Sequence, residues 1–133
     1  MNLISRIFDK TQPDRDLIVD ELGDRLVSGG VSEKDRPEII RSLLTLVLEE
    51  ADFTVLESLC NLLASEYDAN IIRDEILQTM VEALPKFHPG CLVHAIPIIA
   101  RSSLDNKKEL LSPFLASTNV AVRAAAEDIR QYL

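Results

Sequence analysis

Three stretches of this 133-residue chain repeat one apolar spacing, and this repetition restricts the possible folds more than any other feature. Each stretch places apolar residues at positions i, i+3, i+4 and i+7, the spacing that lines one face of a helix. The second stretch begins 36 residues after the first, and the third begins 30 residues later. The three stripes are Leu56, Leu59, Cys60 and Leu63; Leu92, Ala95, Ile96 and Ile99; and Val122, Ala125, Ala126 and Ile129. Each follows another amphipathic stretch and a short turn, so the sequence predicts an internal repeat of helix pairs.

Turn and capping residues divide the chain into helices and leave no segment with the pattern of a strand. We expect Pro13 to open a helix that stops at Gly29-Gly30, and Ser32 with Asp35 to begin the next one. This next helix is apolar almost all round over residues 39–48, which predicts that it is central and buried. The polar residues expected to cap the later helices are Asp52, His88, Asp68 or Asn70, Asp105 or Asn106, and Ser117-Thr118-Asn119.

Composition agrees with a helical chain of one domain, residues 1–133. With only 4 Gly, no Trp and 5% aromatic residues, the chain lacks the residue types that favour a strand-rich sandwich or barrel. Its two cysteines are too few for a disulfide scaffold, and its N-terminus lacks the apolar core of a signal peptide. No apolar run approaches the roughly 20 residues of a membrane span. We therefore expect a cytoplasmic protein with both thiols reduced and no membrane contact.

The last helix pair resembles a HEAT repeat. Pro113 matches the family's proline near the end of the first helix, and Val122-Arg123 matches the Val-Arg pair that begins the second. Ala125 and Ala126 match its small positions, and Pro85 matches the same proline one repeat earlier, although the earlier repeats lack the Val-Arg pair. The resemblance implies a short right-handed α-solenoid of about three helix pairs. Residues 1–31 would form an N-terminal helical cap, and the pairs would cover residues 32–67, 68–103 and 104–133.

The sequence offers no set of catalytic or metal-binding residues. Cys91 and His94 are three residues apart on a predicted helix, but nothing marks an orienting group or an oxyanion site beside them. We therefore expect a partly buried thiol next to a surface histidine. His88 and His94 are six residues apart and make a poor metal pair. With no phosphate-binding glycine motif either, the prediction is a protein that is not an enzyme and that has no cofactor.

A nucleic-acid groove is also not predicted. HEAT-like proteins that hold DNA use a basic concave face, whereas Arg101 is the only base among the residues that the second helices project inward. These residues are Ser58, Asn61 and Ser65; His94, Pro97 and Arg101; and Ala124, Glu127 and Gln131. The HEAT-like bilin lyases are a further possibility by resemblance, but no residue here marks a chromophore pocket.

The negative charge is concentrated in the first half of the chain. Residues 1–67 carry 14 acidic and 7 basic residues, whereas residues 68–133 carry 8 and 7. Such segregation favours a positively charged partner, although acidic residues also serve solubility and helix capping. The residues predicted to contact a partner are Asp16, Asp20, Asp24, Glu49, Glu50 and Asp52 in an acidic patch, and Glu57, Asn61, His94, Arg101 and Glu127 towards the groove.

Two function hypotheses follow, and both are non-catalytic. In the first, the protein is a cytosolic inhibitor, similar to the small helical immunity proteins of bacterial toxin–immunity pairs, whose carboxylates cover the phosphate-binding surface of a basic toxin such as a nuclease domain. In the second, it is an adaptor or regulatory subunit that holds a peptide or helix in its concave groove. A monomer is expected in either case. The hypotheses differ in whether the acidic patch or the groove residues contact the partner.

Overall fold

The computed structural model describes residues 2–133, and within this range the chain is helical without a strand. The prediction of an all-α protein is therefore confirmed. The α-helices are α1 (Leu3–Phe8), α2 (Arg15–Ser28), α3 (Arg36–Glu49), α4 (Phe53–Asp68), α5 (Arg73–Ala83), α6 (Pro89–Ala100), α7 (Lys107–Leu111) and α8 (Val120–Asp128). Short 3-10 helices cover Leu84–Lys86, Ser112–Ala116 and Arg130–Tyr132.

The even-numbered helices pack one upon the next. Helix α2 lies against α4, α4 against α6, and α6 against α8. Among the odd-numbered helices, α1 contacts α3 and α3 contacts α5, while α7 lies against α6. The apolar stripes predicted from the sequence form the contacts between these helices: those of α4 and α6 are buried throughout, and in α8 only Ala125 is partly exposed. The core therefore follows the row of even-numbered helices.

Two of the predicted caps are made by side chains. Asp52 accepts hydrogen bonds from the backbone N–H groups of Thr54 (2.9 Å) and Val55 (3.4 Å), and Asn119 accepts one from Val122 (3.0 Å). These bonds satisfy donors that the first turn of a helix leaves without a partner. Gly29 ends α2 with a φ of 81°, the left-handed conformation expected of a glycine at this position.

Other predicted helix starts are displaced. Helix α2 begins at Arg15, after Asp14 with a φ of 55°, so Pro13 precedes the helix instead of opening it. Helix α5 follows Ile72, whose φ is 42°, and no side chain caps its first turn. Asp68 cannot cap α5 because it is the last residue of α4. His88 and Asn106 stand at the cap positions of α6 and α7 without a side-chain hydrogen bond to the helix.

Helix α3 is not the central helix, contrary to the expectation from its apolar sequence. It packs against α1, α4 and α5, and Leu48 remains 41% exposed. The central positions belong to α4 and α6, which have neighbours in the row on both sides. The buried residues of α6 are Cys91, Leu92, Ala95, Ile96, Ile98, Ile99 and Ala100.

Two prolines stand where an α-helix changes to a 3-10 helix. Pro85 lies in the 3-10 turn that follows α5, and Pro113 lies in the one that follows α7. Proline cannot donate the backbone hydrogen bond that would continue an α-helix, so both helices end in a tighter turn. Both prolines therefore lie in a 3-10 turn directly after an α-helix.

None of the described helices is both long enough and apolar enough to cross a membrane.

Candidate functional site

One surface of the even-numbered helices carries three depressions, and we call it the groove face. The first depression lies between α2 and α4 (about 270 Å³), the second where α2, α4 and α6 meet (about 380 Å³), and the third between α6 and α8 (about 380 Å³). The first two are continuous with each other because Asp20, Ser58 and Asn61 line both. Pro97 of the third depression lies one helical turn after His94 of the second.

The three aspartates of α2 lie on this groove face. Their spacing of four residues places them in one stripe along the helix. Asp16 lines the second depression, Asp24 lines the first, and Asp20 lines both. The structure therefore brings part of the predicted acidic patch together with Asn61 and His94, which the sequence placed in a separate groove. The acidic patch and the groove are one surface here, and not two competing sites.

The first two depressions are negatively charged. No lysine or arginine lines them, and no ion pair in the described part of the chain reaches the three aspartates of α2. Several arginines are instead engaged with other carboxylates, such as Arg15 with Glu50 and Arg36 with Glu66. The field of these aspartates is therefore not cancelled by adjacent cations, and it attracts positive groups.

Glu57 adds a carboxylate to the second depression, beside Asp16 and Asp20. It lines the second depression with its side chain about half exposed, and its Oε2 lies 3.9 Å from Nε2 of His88. A Cβ added at Gly90 would lie 2.6 Å from this Oε2, so the glycine leaves room for the carboxylate beside the first turn of α6. The positive end of the α6 dipole favours a negative group at this place.

The remaining acidic residues of the predicted patch lie elsewhere. Glu50 is only 5% exposed and is held by Arg15, whose NH1 lies 3.2 Å from its Oε2. Asp52 caps α4, and Glu49 is exposed but lines none of the three depressions. Because the turn between α3 and α4 uses Glu50 and Asp52 to hold the fold, neither adds a free carboxylate to the groove face.

The pKa values of these two carboxyls agree with structural roles. Burial opposes the ionisation of Glu50, but hydrogen bonds from Arg15 and from the backbone N–H of Asp52 outweigh it and hold its pKa below the ordinary value. The pKa of Asp52 is lowered by the hydroxyl of Thr54 and by the two N–H groups that it caps. Both groups are therefore ionised at neutral pH.

His94 stands at the base of the second depression. It is half-buried, and this burial lowers the pKa of its imidazole, although the nearby Glu57 acts in the opposite direction. The ring is consequently neutral near pH 7. It gives the depression a hydrogen-bonding group without a positive charge.

Cys91 contacts a different histidine from the one expected. Its thiol lies 3.3 Å from Nδ1 of His88, and His88 in turn stacks on Phe53 with 4.6 Å between ring centroids. Cys91 has no exposed surface, whereas the sequence predicted a partly buried thiol beside His94. The neighbouring Cys91 thiol and burial both raise the pKa of Cys60. Sequence reasoning missed the ring stacking because Phe53 is the first residue of α4 and His88 is the N-cap of α6, and only packing brings these two helices together.

Cys91, His88 and Glu57 are adjacent in this order, which is the order of a nucleophile, a base and an orienting acid in nucleophilic catalysis. A substrate carbonyl would have to reach the sulfur, and the complete burial of Cys91 blocks that approach in this structure. In the portion that the structure describes, no group of three or more His, Cys, Asp or Glu side chains could hold a metal ion. The geometry of the groove face is suited to binding through charge and shape.

Three of the residues that line the C-terminal part of the groove face each lie one position later in the sequence than predicted. The third depression is lined by Ala125, Asp128 and Tyr132, where the sequence suggested Ala124, Glu127 and Gln131. Val122, Ala126 and Ile129 turn towards the core, so the residues beside them border α6. Glu127 is exposed and pairs with Arg130 at 3.3 Å, whereas Arg101 lines the third depression as expected.

No protein-family model matches this chain, and no curated protein and no solved structure is significantly similar to it.

Proposed function

We propose that this protein is a non-catalytic protein-binding module whose groove face binds a basic surface of its partner. The observation that carries the proposal is the placement of Asp16, Asp20, Asp24 and Glu57 on one surface whose first two depressions contain no lysine or arginine. Four carboxylates on a rigid helical scaffold would meet lysine or arginine side chains and hold them by charge-assisted hydrogen bonds. Association would be fast and would weaken with salt.

The scaffold in this proposal is a short right-handed α-solenoid of HEAT-like helix pairs, with α1 as part of an N-terminal cap. The successive packing of α2, α4, α6 and α8, with α3 against α5 behind them, supports this arrangement. The 3-10 turns at Pro85 and Pro113 support the alignment of two of the pairs. In such a solenoid, side chains from successive helices form one extended surface, which suits an interaction platform.

The particular function that fits best is inhibition of a basic toxin, such as a nuclease domain. Lysines and arginines that hold phosphate would instead be covered by the carboxylates of the groove face, and substrate would be excluded. The excess of acidic over basic residues in the first half of the chain supports this choice, because the acidic residues that line the first two depressions all come from α2 and α4. An adaptor that holds a peptide or helix remains the alternative, favoured by the third depression, whose lining includes Arg101.

Affinity capture from the native host, followed by mass spectrometry, tests the proposal. We expect the wild-type protein to retain one basic partner at low salt and to release it at high salt. The variant Asp16→Asn/Asp20→Asn/Asp24→Asn should lose this partner. The matched control is Glu82→Gln/Asp105→Asn/Glu109→Gln, which removes the same charge at exposed positions outside the three depressions. Equal retention by both variants would show that the groove-face carboxylates do not bind the partner.

A nuclease assay on the captured partner then separates the two functions. An inhibitor should abolish the partner's activity at a 1:1 ratio, whereas an adaptor should leave any activity unchanged. Recovery of a larger complex that resists salt would favour the adaptor.

A further inference from the structure

Helices α4 and α6 approach each other closely where they carry the two cysteines of the chain. Gly90 of α6 has no side chain, and a Cβ there would lie 2.6 Å from Oε2 of Glu57 on α4. Cys60 lies about one helical turn after Glu57, and Cys91 directly follows Gly90. The two thiols are hydrogen-bonding neighbours, and neither has any exposed surface. Both are free thiols in this structure.

Cys91 also has a base beside it. Its sulfur lies 3.3 Å from Nδ1 of His88, and Nε2 of the same ring lies 3.9 Å from Oε2 of Glu57. A thiol next to an imidazole can transfer its proton to the ring and become a thiolate, which is the form that reacts with oxidants. A hydrogen bond from the Cys60 thiol lowers the pKa of Cys91, although burial acts in the opposite direction. The surroundings of Cys91 therefore favour the thiolate, and Cys60 provides a second sulfur next to it.

His88 connects this buried sulfur with the surface of the protein. Its side chain is 24% exposed, and it makes no capping hydrogen bond to the backbone of α6. The ring stacks on Phe53, which is itself 57% exposed. His88 is therefore the side chain whose rotation would let a small molecule reach Cys91. Hydrogen peroxide has only two heavy atoms, so it needs a far smaller opening than a substrate carbonyl does.

We propose that Cys91 and Cys60 form a site of thiol oxidation, at which hydrogen peroxide converts the two thiols into a disulfide that joins α4 to α6. The Cys91 thiolate attacks one oxygen of the peroxide and becomes a sulfenic acid, while the O–O bond breaks. The departing hydroxide takes the proton that His88 received from the thiol, and leaves as water.

The second step forms the disulfide. The sulfur of Cys60 attacks the sulfenic sulfur of Cys91, so an S–S bond forms and the S–O bond breaks. The departing hydroxide takes the proton of the Cys60 thiol and leaves as a second water. The two thiols are thus oxidised by two electrons, and one peroxide is reduced to two waters.

The disulfide would cross-link two walls of the second depression, because Glu57 of α4 and His94 of α6 both line it. The oxidation site needs no partner, so it stands or fails independently of the proposed function. The alternative is that the two cysteines only fill the core, since buried thiols without access to solvent are inert.

Peroxide treatment of the folded full-length protein distinguishes these alternatives. Free thiols are counted with a thiol reagent after quenching and unfolding, and the pairing is identified by mass spectrometry of an unreduced digest. Cys60→Ala and Cys91→Ala each leave one thiol, and His88→Asn removes the base beside Cys91. The rate of oxidation is measured from pH 6 to pH 9. Each protein is also oxidised while unfolded in urea, which is the control for the reactivity of its thiols outside the fold.

We expect the folded wild type to lose both free thiols, to form the Cys60–Cys91 disulfide within one chain, and to recover both thiols in dithiothreitol. Cys60→Ala should accumulate a sulfenic acid at Cys91 that dimedone traps, whereas Cys91→Ala should react at least tenfold more slowly than the wild type. His88→Asn should slow oxidation at least fivefold at pH 7 in the folded protein and have no effect in urea. Its rate should rise towards that of the wild type at higher pH, where the thiol ionises without a base.

The wild-type measurement decides the proposal even if a variant fails to fold. Two free thiols in the folded protein, under conditions that oxidise the unfolded chain, would overturn the site and show that the cysteines only fill the core. A disulfide between two chains, or a sulfinic acid without a disulfide, would also overturn it. An unchanged rate and pH profile in His88→Asn would overturn the role of His88 as the base.

Discussion

Arg15 and Glu50 form a buried ion pair that joins the start of α2 to the end of α3. The guanidinium also donates from Nε to the carbonyl of Ile7 at 2.7 Å, so one side chain ties three segments together. The sequence does not indicate this pair, because Arg15 is one of several charges near a helix start and Glu50 was predicted to contact a partner instead. Removing one partner of such a pair leaves the other charge buried, which is more destabilising than removing both.

We expect Arg15→Met to lower the free energy of unfolding by about 3 kcal/mol, since the charge of Glu50 would remain buried without its partner. The double variant Arg15→Met/Glu50→Leu should lose less, because no buried charge remains. Urea unfolding measures both. Arg25→Met, which removes an exposed pair with Glu21, is the control and should change stability little. A double variant less stable than the single one would contradict this account.

His94 makes stability depend on pH in a predictable direction. Its pKa in the folded protein lies below the ordinary value of 6.5, so the unfolded chain binds the proton more tightly. The stability that neutral His94 contributes is therefore complete above pH 6.5. It is lost as the pH falls from 6.5 through the lower pKa of the folded state. We expect the wild type to lose more stability between pH 7 and pH 5 than His94→Asn does. Urea unfolding at pH 7, 6 and 5 measures the difference, and parallel curves would show that His94 does not titrate in this way.

At the scale of single elements, the sequence predicted helix ends well where a side chain makes the cap. Asp52 and Asn119 lie within hydrogen-bonding distance of the N–H groups that they cap, whatever the rest of the chain does. The start of α5 depends instead on Ile72 in a left-handed conformation that a β-branched residue rarely adopts. Ile72 is partly buried against the core, and no local sequence pattern indicates its left-handed conformation.

The last helix provides a test of the apolar register. Val122 and Ala126 are buried against α6 and the preceding 3-10 helix, whereas Ala124 is exposed. We expect Val122→Asp and Ala126→Glu to unfold α8 or lower the melting temperature by many degrees, because each buries an unpaired charge. Ala124→Glu places the same charge on the opposite side and should have little effect. Thermal melting followed by circular dichroism compares the variants. Equal stability of Ala126→Glu and Ala124→Glu would show that Ala126 does not face the core.

Across the whole molecule, three ion pairs join residues that are 30 to 35 positions apart in sequence. Arg15–Glu50, Arg36–Glu66 and Arg41–Glu75 link residues separated by 35, 30 and 34 positions, close to the 36 and 30 of the apolar repeat. Lys86 adds a hydrogen bond to the carbonyl of Glu50, 36 residues earlier. Three arginines are thereby committed to the fold, which leaves the aspartates of α2 without cations beside them.

Because the aspartates of α2 have no cations beside them, we expect this acidic surface to lower the thermal stability of the protein. Asp20 and Asp24 are four residues apart on α2, where like charges repel, and the chain carries a net charge of −8. Asp20→Asn/Asp24→Asn should therefore raise the melting temperature by a few degrees in low salt, and 0.5 M salt should remove most of this gain. Glu82→Gln/Glu109→Gln, at exposed sites, is the control and should gain less. Greater stability from the control pair would mean that the charge on α2 is not especially unfavourable.

The amino-acid sequence alone predicts the helical class, the buried stripes of α4, α6 and α8, and the excess of carboxylates in the first half of the chain. These properties depend on residue type and on spacing within one helix, both of which are local. Three facts are visible only in the folded protein: Asp16 and Asp20 share a depression with Asn61 and His94, Glu50 is buried against Arg15, and α4 and α6 take the central positions expected of α3. Each of these facts depends on how one helix is rotated against another, and an amphipathic stripe specifies which side is buried but not which neighbour covers it.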